Sequence, residues 1–430
     1  MAVGFASLMV KSVSFFKEIV VAFYFGRDRS LDIFLIALAP PTFGISVLGG
    51  AIQSSFTPTY LDVLHKHGRE AARTLLGSLS LVYVGILTLA AILMILGANW
   101  LLHALASGFS ATELMQTRHI FYLLVPILVF TGIAYLYISL LAAEHKFTLP
   151  ALAAVVTPVC TMAVLLIAFR ALGIYSLVLA ATIGAFLELI VLAWLMIRTQ
   201  VIPTFVWGGF TPELKQVFTQ FFPLIAGTVL MAGTTITDQA MAAMLPAGAI
   251  SALNYGNKLP AVTCTLISGA IGTAVLPYFS RMIAAGDWNG LLKTYSSFVR
   301  FTFIATLPIL ALLIALSYFI IRTVFQHGAF SASDTRVVTY VQICLLLEIP
   351  FYTVGMLAVR MIAALKKTVV LVWGAVISLA LNIILNYLFM EIWGVAGIAL
   401  STSVVYAVSM FYLLFMSKRF INGTLKAQRA

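Results

Sequence analysis

VKSVSFFKEIVVAFYFGRDRSLDIFLIALAPPTFGISVLGGAIQSSFTP, running from Val10 to Pro58, is two apolar segments of membrane-spanning length joined by a short polar turn. The first carries Lys11, Lys17 and Glu18 where a plain anchor would carry leucine. A charge in the middle of a spanning helix costs about 3 kcal/mol or more, so it survives mostly where it faces a wet cavity or a partner. Lys17 and Glu18 are neighbours in sequence, so a helix points them about 100° apart and no helical pair is expected, whereas Lys11 and Glu18 lie seven apart on one face. A lysine near a helix end can also snorkel to the headgroups. The stretch reads as part of a cavity wall.

Working outward, composition sets the class. With 62% hydrophobic and 9% charged residues and a mean hydropathy of +1.08, the chain is too apolar for a soluble domain, and apolar runs of spanning length recur from end to end. The start, MAVGFASLMVKSVSFF, has no basic region ahead of its apolar core, so a cleaved signal peptide is not expected and the first segment stays as a helix. Spanning segments fall near 3 to 25, 31 to 56, 75 to 102, 119 to 143, 149 to 171, 175 to 197, 217 to 245, 250 to 279, 299 to 325, 337 to 364, 368 to 390 and 394 to 417. The expected fold is an all-α polytopic membrane protein of twelve transmembrane helices.

If the N-terminus is cytoplasmic, fifteen Lys and Arg residues flank the inner ends, among them Lys66, Arg69, Arg73, Lys366 and Lys367, against six at the outer ends. This positive-inside bias puts both termini in the cytoplasm. It also accounts for the net charge of +11 without a nucleic-acid partner, because the surplus meets membrane-lipid headgroups and forms no separate basic domain.

An internal repeat organises the chain. GGAIQSSFTPTY from Gly49 matches SGAIGTAVLPYF from Ser268 at an offset of 219 residues, and AAEHK from Ala142 matches AALKK from Ala363 at 221. Two six-helix halves, 1–205 and 206–430, are expected, each with an even number of helices and therefore the same orientation. A site at their seam is the natural expectation for a transporter. Lys11, Lys17, Glu18 and Asp32 from helices 1 and 2, and Asp238 and Lys258 from helices 7 and 8, would then line one central vestibule rich in lysine. Such a cavity suits an anionic substrate such as phosphate or diphosphate.

KSVSFFKEIVVAFYFG, SLDIFLIALAPP and GGAIQSSFTPTY resemble the opening of the MurJ/MviN family of lipid II flippases, and NYGNKLPAVTCTLISGAIGTAVLPYFSR is similar to that family's helix 8 block. The likeness runs through all twelve expected helices. It implies the fold of the multidrug/oligosaccharidyl-lipid/polysaccharide exporter superfamily, two six-helix bundles forming a V around a central cavity. It also implies alternating access that carries an undecaprenyl-diphosphate-linked sugar from the inner to the outer leaflet of the bacterial cytoplasmic membrane, for peptidoglycan synthesis and cell shape. The family's first-helix basic pair, in a pattern like SRxxGFxRE, falls on Lys11 and Lys17. The acid opening helix 2 falls on Asp32, and the basic residue of YxxRL on Lys258. A second-helix arginine of the family falls on Gly44 or Ile45 and is absent. Members commonly carry two further helices after the twelfth, so a divergent or shortened member is expected. The resemblance leaves open a translocase for lipid-linked exopolysaccharide or O-antigen units. A monomer is expected, with cell-wall synthesis proteins as partners.

A second constellation concerns coupling. Asp238, with Asn382 and Asn386 four apart on helix 11 and Thr402 on helix 12, offers oxygens to sodium, or Asp238 alone a proton carrier. The same Asn and Thr side chains also serve as ordinary hydrogen bonds between membrane helices. Glu188, Glu348 and Arg360 are further intramembrane charges; Glu348 and Arg360, twelve apart, cannot meet on one straight helix. Pro40 and Pro41 in helix 2 and Pro260 in helix 8 are candidate bends.

The sequence contains no GxxxxGK, GxSxG or HExxH, so ATP hydrolysis, serine acyl transfer and zinc proteolysis have no support. Cys160, Cys264 and Cys344 read as isolated core thiols and the six histidines show no ligand spacing, so no metal or cofactor is expected beyond a coupling Na+ or H+. A cation-coupled multidrug exporter would use an acidic cavity, against which Lys11, Lys17 and Lys258 argue. A glycosyltransferase would need an acid and base on an outer loop, and residues 103–118 offer only His103, Glu113 and Arg118. Transport, not enzymatic catalysis, is the expectation.

Overall fold

Inside a bilayer each backbone N–H and C=O must be satisfied within the protein, and a helix does this segment by segment. The computed structural model, which describes residues 2–198 and 207–429, has only helices as regular structure among those residues. Two compact units divide them, Met1–Ala232 and Gly233–Ala430.

The first unit contains α1 (Ala2–Phe25), α2 (Arg29–Leu96), α3 (Ala98–Leu105), α4 (Ala111–Leu124), α5 (Pro126–Ala143), α6 (Thr148–Ala153), α7 (Val156–Leu172) and α8 (Ile174–Arg198). It also holds the first two-thirds of α9 (Pro212–Ala242). That part of α9 stays with the first unit because Phe221 is fully buried against Tyr83 of α2 and the backbone N–H of Gly208 donates to Ser78 Oγ at 2.9 Å. The 205/206 boundary drawn from the repeat lies in residues 199–206, outside the described residues. The second unit takes the end of α9 and α10 (Ala249–Gly256), α11 (Lys258–Ala284), α12 (Trp288–Phe325), α13 (Ala332–Leu346), α14 (Glu348–Ala364), α15 (Val369–Trp393) and α16 (Val395–Arg429).

Nine helices among the described residues are long and apolar enough to cross a membrane. That count takes α2 as one crossing and does not include α1 or α11. α2 covers the segments expected at 31 to 56 and 75 to 102 as two helical stretches, 29–67 and 69–96, broken at Gly68, and the polar stretch between the spans is helical up to that break. Lys66 and Asp62, four apart on that stretch, pair at 2.8 Å, and the chain turns at exposed Gly68, whose φ of 80° favours glycine. Pro40, Pro41 and Pro58 lie inside α2 with helical backbone angles, and Gly68 is its one non-helical residue. Pro260 sits in the first turn of α11, where a missing N–H is harmless. α1 and α11 stand in the places of the first and eighth expected segments.

The repeat is visible in the backbone. Ser110 caps α4 in a reciprocal box with Glu113, and Ser331 caps α13 in the same box with Asp334, 221 residues on. His145 and Lys366, again 221 apart, are the two non-glycine residues with positive φ among the described residues, at 59° and 58°. Gly173 between α7 and α8 (φ 53°, ψ −127°) matches Gly394 between α15 and α16 (φ 57°, ψ −133°) at the same spacing. In each unit these last two helices pack together as a pair.

Candidate functional site

The most developed polar arrangement is in the second unit and is built on the hairpin of α15 and α16. Asn382 and Asn386 are one turn apart on α15, so they share a face, and both are buried. Gly394 reverses the chain midway between Asn386 and Thr402, eight residues from each, which brings Ser401 and Thr402 on α16 back to the level of the asparagines. Asp238, near the end of α9, enters between the two helices. Its Oδ1 accepts from Asn382 Nδ2 at 2.9 Å and from Asn386 Nδ2 at 2.7 Å, and its Oδ2 accepts from Thr402 Oγ1 at 3.2 Å. Ser401 Oγ donates to Asn386 Oδ1, and Thr402 Oγ1 also reaches the Ile398 carbonyl at 3.2 Å. Ser401 is the one member that sequence reasoning overlooked, although it adjoins Thr402.

Chemically this is one carboxylate held by uncharged groups, with an oxygen available from each of Asn382, Asn386, Thr402 and Ile398. As the amides stand, their nitrogens face Asp238; presenting their oxygens to a cation requires turning each about its terminal bond, a rotation that costs no backbone movement. The donor set suits a monovalent cation, while a divalent ion would want more carboxylate.

The basic residues are placed differently. Lys11 and Lys17 are half-buried on α1. The structure corrects the reading of Lys17 and Glu18: they are paired, Nζ to Oε1 at 2.7 Å. The backbone does point them apart, but the four-carbon lysine stem is long enough to fold across. Asp32 is fully buried in the first turn of α2, where the helix dipole favours an acid. Lys258 is the first residue of α11, half-buried, so its ammonium sits at a helix N-terminus, an end that itself attracts anions. At the place of the family's second-helix arginine, Gly44 and Ile45 are buried, and a Cβ on Gly44 would come within 2.9 Å of Met94 Cε and 3.0 Å of Leu128 Cδ1. No long side chain fits there without repacking α2 against α5.

Glu348, Arg29 and Glu188 have partners, whereas the buried Nε of Arg360 has no hydrogen-bond partner among the described residues. Glu348 opens α14, buried, and accepts from the Cys264 thiol at 3.9 Å. Arg29 makes a two-pronged contact with Glu113, Nε to Oε1 at 2.7 Å and Nη2 to Oε2 at 3.2 Å, and lies 4.0 Å over the Phe109 ring. Glu188 on α8 accepts from Thr157 of α7.

With this geometry in hand, the comparisons with known proteins are consistent. The profile of the family described as Lipid II flippase MurJ matches residues 21–428. The chain is 26% identical to the probable lipid II flippase MurJ of Synechocystis sp. over 98% of its own length and 81% of that protein's. Among solved structures it is similar to a lipid II flippase MurJ in an inward closed conformation, with a TM-score of 0.83 and 26% identity over 97% of this chain and 87% of that one. An inward-facing multidrug resistance MATE family transporter of the MOP superfamily shares the fold at a TM-score of 0.82, with 11% identity over 98% and 99% of the two chains. The chain belongs to the lipid II flippase MurJ family.

Proposed function

We propose that this membrane protein is a lipid II flippase, a transporter and not an enzyme, that moves the undecaprenyl-diphosphate-linked peptidoglycan precursor from the inner to the outer leaflet by alternating access. The observation that carries the reading is the family match across residues 21–428, joined to a shared fold over nearly the whole chain. The diphosphate engages Lys11 and Lys17 of the first unit and Lys258 of the second. Lysines act as mobile point charges that bind phosphate without the fixed fork of arginine. Glu18 holds Lys17 when the substrate is elsewhere, and its 2.7 Å pair is the contact a diphosphate displaces. Asp32 sets the charge at the start of α2.

Sodium, held by Asp238, Asn382, Asn386 and Thr402, or a proton on Asp238, supplies the coupling. The protein works as a monomer in the cytoplasmic membrane with both termini inside, as the distribution of Lys and Arg supports, and meets cell-wall synthesis proteins there. The halves 1–205 and 206–430 are the duplicated unit from which it is built.

The test is rescue of a strain depleted of its own lipid II flippase. The unmodified protein rescues; Lys11→Ala and Lys258→Ala, present at equal levels in the membrane, do not. Full rescue by both variants removes those lysines from the substrate site. Failure of the unmodified protein, with a lipid-linked exopolysaccharide intermediate accumulating in its own deletion strain, moves the substrate to that class.

A further inference from the structure

Glu188 has no place in the function proposed above. It lies near the centre of α8, half-buried, within the spanning stretch Ile174–Arg198. Thr157 of α7 donates its hydroxyl to Glu188 Oε2 at 2.6 Å. The two helices are unusually close there: a Cβ on Gly184, one turn before Glu188, would stand 3.1 Å from Thr157 Cα. Tyr135 is on α5 and Tyr83 on α2, both of which pack against α8. The Tyr83 hydroxyl is fully buried and has no hydrogen-bond partner among the described residues, and buried polar atoms in that condition are few in any fold.

Further ionisable groups on the helices packed around α7 and α8 include Lys11, Lys17 and Glu18 on α1, Arg118 and His119 on α4, Tyr137 on α5 and Cys160 and Arg170 on α7. On α1, which packs on α7, Lys17 and Glu18 neutralise each other. On α4, His119 bonds Tyr175, thirteen residues from Glu188 along α8 and thus about 20 Å away. α7 itself carries the half-buried thiol of Cys160, and α6 has no titratable side chain. A carboxylate inside a span with one neutral donor is costly as an anion and is tolerated by taking up a proton.

We propose that Glu188 is a proton-binding site of the first unit, neutral in this conformation, which takes its proton from water and returns it to water when the hairpin of α7 and α8 is wetted. The site is separate from Asp238 and does not depend on which lipid is carried.

The test is labelling of the full-length protein in proteoliposomes with dicyclohexylcarbodiimide. A neutral carboxyl adds its oxygen to the carbodiimide carbon and its proton to nitrogen, then rearranges to a stable N-acylurea that peptide mass spectrometry locates. At about pH 6 the Glu188 peptide should be labelled at least about tenfold more than the peptide holding exposed Asp28, since an ordinary carboxyl is almost wholly ionised there. Labelling should fall as the pH is raised and vanish from that peptide in Glu188→Gln. Thr157→Val, which removes the donor to the anion, should carry labelling upward by about one pH unit. Labelling at Glu188 no greater than at Asp28, or an unchanged profile in Thr157→Val, overturns the proposal.

Discussion

The two units share a backbone plan and differ in what they do with charge. In the first, the acid on α1 is spent on a neighbouring lysine, Glu18 on Lys17, and the closing hairpin of α7 and α8 holds its own carboxylate, Glu188. In the second, the end of α9 supplies Asp238 with no cation among its hydrogen-bond partners, and the closing hairpin of α15 and α16 furnishes amides and hydroxyls to meet it. The features that recur at a 221-residue spacing are caps and left-handed turns. The features that diverge are side chains facing the interior. A duplicated frame can keep its geometry through a few local backbone signals while each copy's polar interior is rewritten.

The largest effect should come from removing the acid that the second unit leaves uncompensated. Asp238→Ala strips the acceptor from Asn382 and Asn386, leaving buried donors unpaired at about 1–3 kcal/mol each, and deletes the one carboxylate of the proposed coupling site. Lipid II translocation into proteoliposomes under an inward or outward sodium gradient should fall by at least about tenfold, which corresponds to about 1.4 kcal/mol in a barrier, and should lose its response to the gradient. A variant that still responds to sodium separates the polar cluster from coupling and reduces the contrast between the units to packing.

The shared frame can be tested at Gly173 and Gly394. Both have φ near 55° with ψ near −130°, and neither Cβ would meet another atom within 4 Å, so the cost of a side chain is conformational alone. Gly173→Ala and Gly394→Ala should each destabilise their unit by about 1–3 kcal/mol. The drop in melting temperature of the detergent-solubilised protein should be alike for the two variants, with the double variant adding the effects. If one position accepts alanine freely, the backbone equivalence of the two hairpins is broken there.

Much of this was legible in residue order, for a physical reason. Spanning segments declare themselves by unbroken apolarity, and the repeat by Gly50 and Pro58 against Gly269 and Pro277. Asp238, Asn382, Asn386 and Thr402 could be grouped because an acid, two amides four apart and a hydroxyl have few reasons to recur inside spans. The helical run on either side of Gly68 was not legible, since charge around Lys66 and Arg69 ordinarily marks a loop and helical propensity alone does not say how far a helix extends past a span. Nor was the Lys17–Glu18 pair, because helix geometry fixes where Cβ atoms point but not how far a flexible stem can fold back. Arg29 with Glu113 joins residues 84 apart, a distance at which spacing carries no information.

That last pair gives the smallest and most selective comparison. Glu113 and Asp334 are equivalent: each closes the cap of its helix, accepting from its serine's backbone N–H at 2.7 and 2.8 Å. Losing such a cap costs about 0.5–2 kcal/mol. Glu113 also receives Arg29 in a two-pronged contact beside Phe109, at an edge where both side chains keep 20–27% of their surface in solvent; screening limits this addition to about 1 kcal/mol or less. Thermal unfolding should therefore show Glu113→Ala more destabilised than Asp334→Ala by no more than that increment. The increment should shrink in high salt, because exposed ion pairs are screened and caps between a serine and its own helix much less so. In an Arg29→Ala background the two alanine substitutions should cost the same. A gap that survives both salt and the loss of Arg29 means the two caps are not equivalent, and the divergence between the units then begins in the backbone signals themselves.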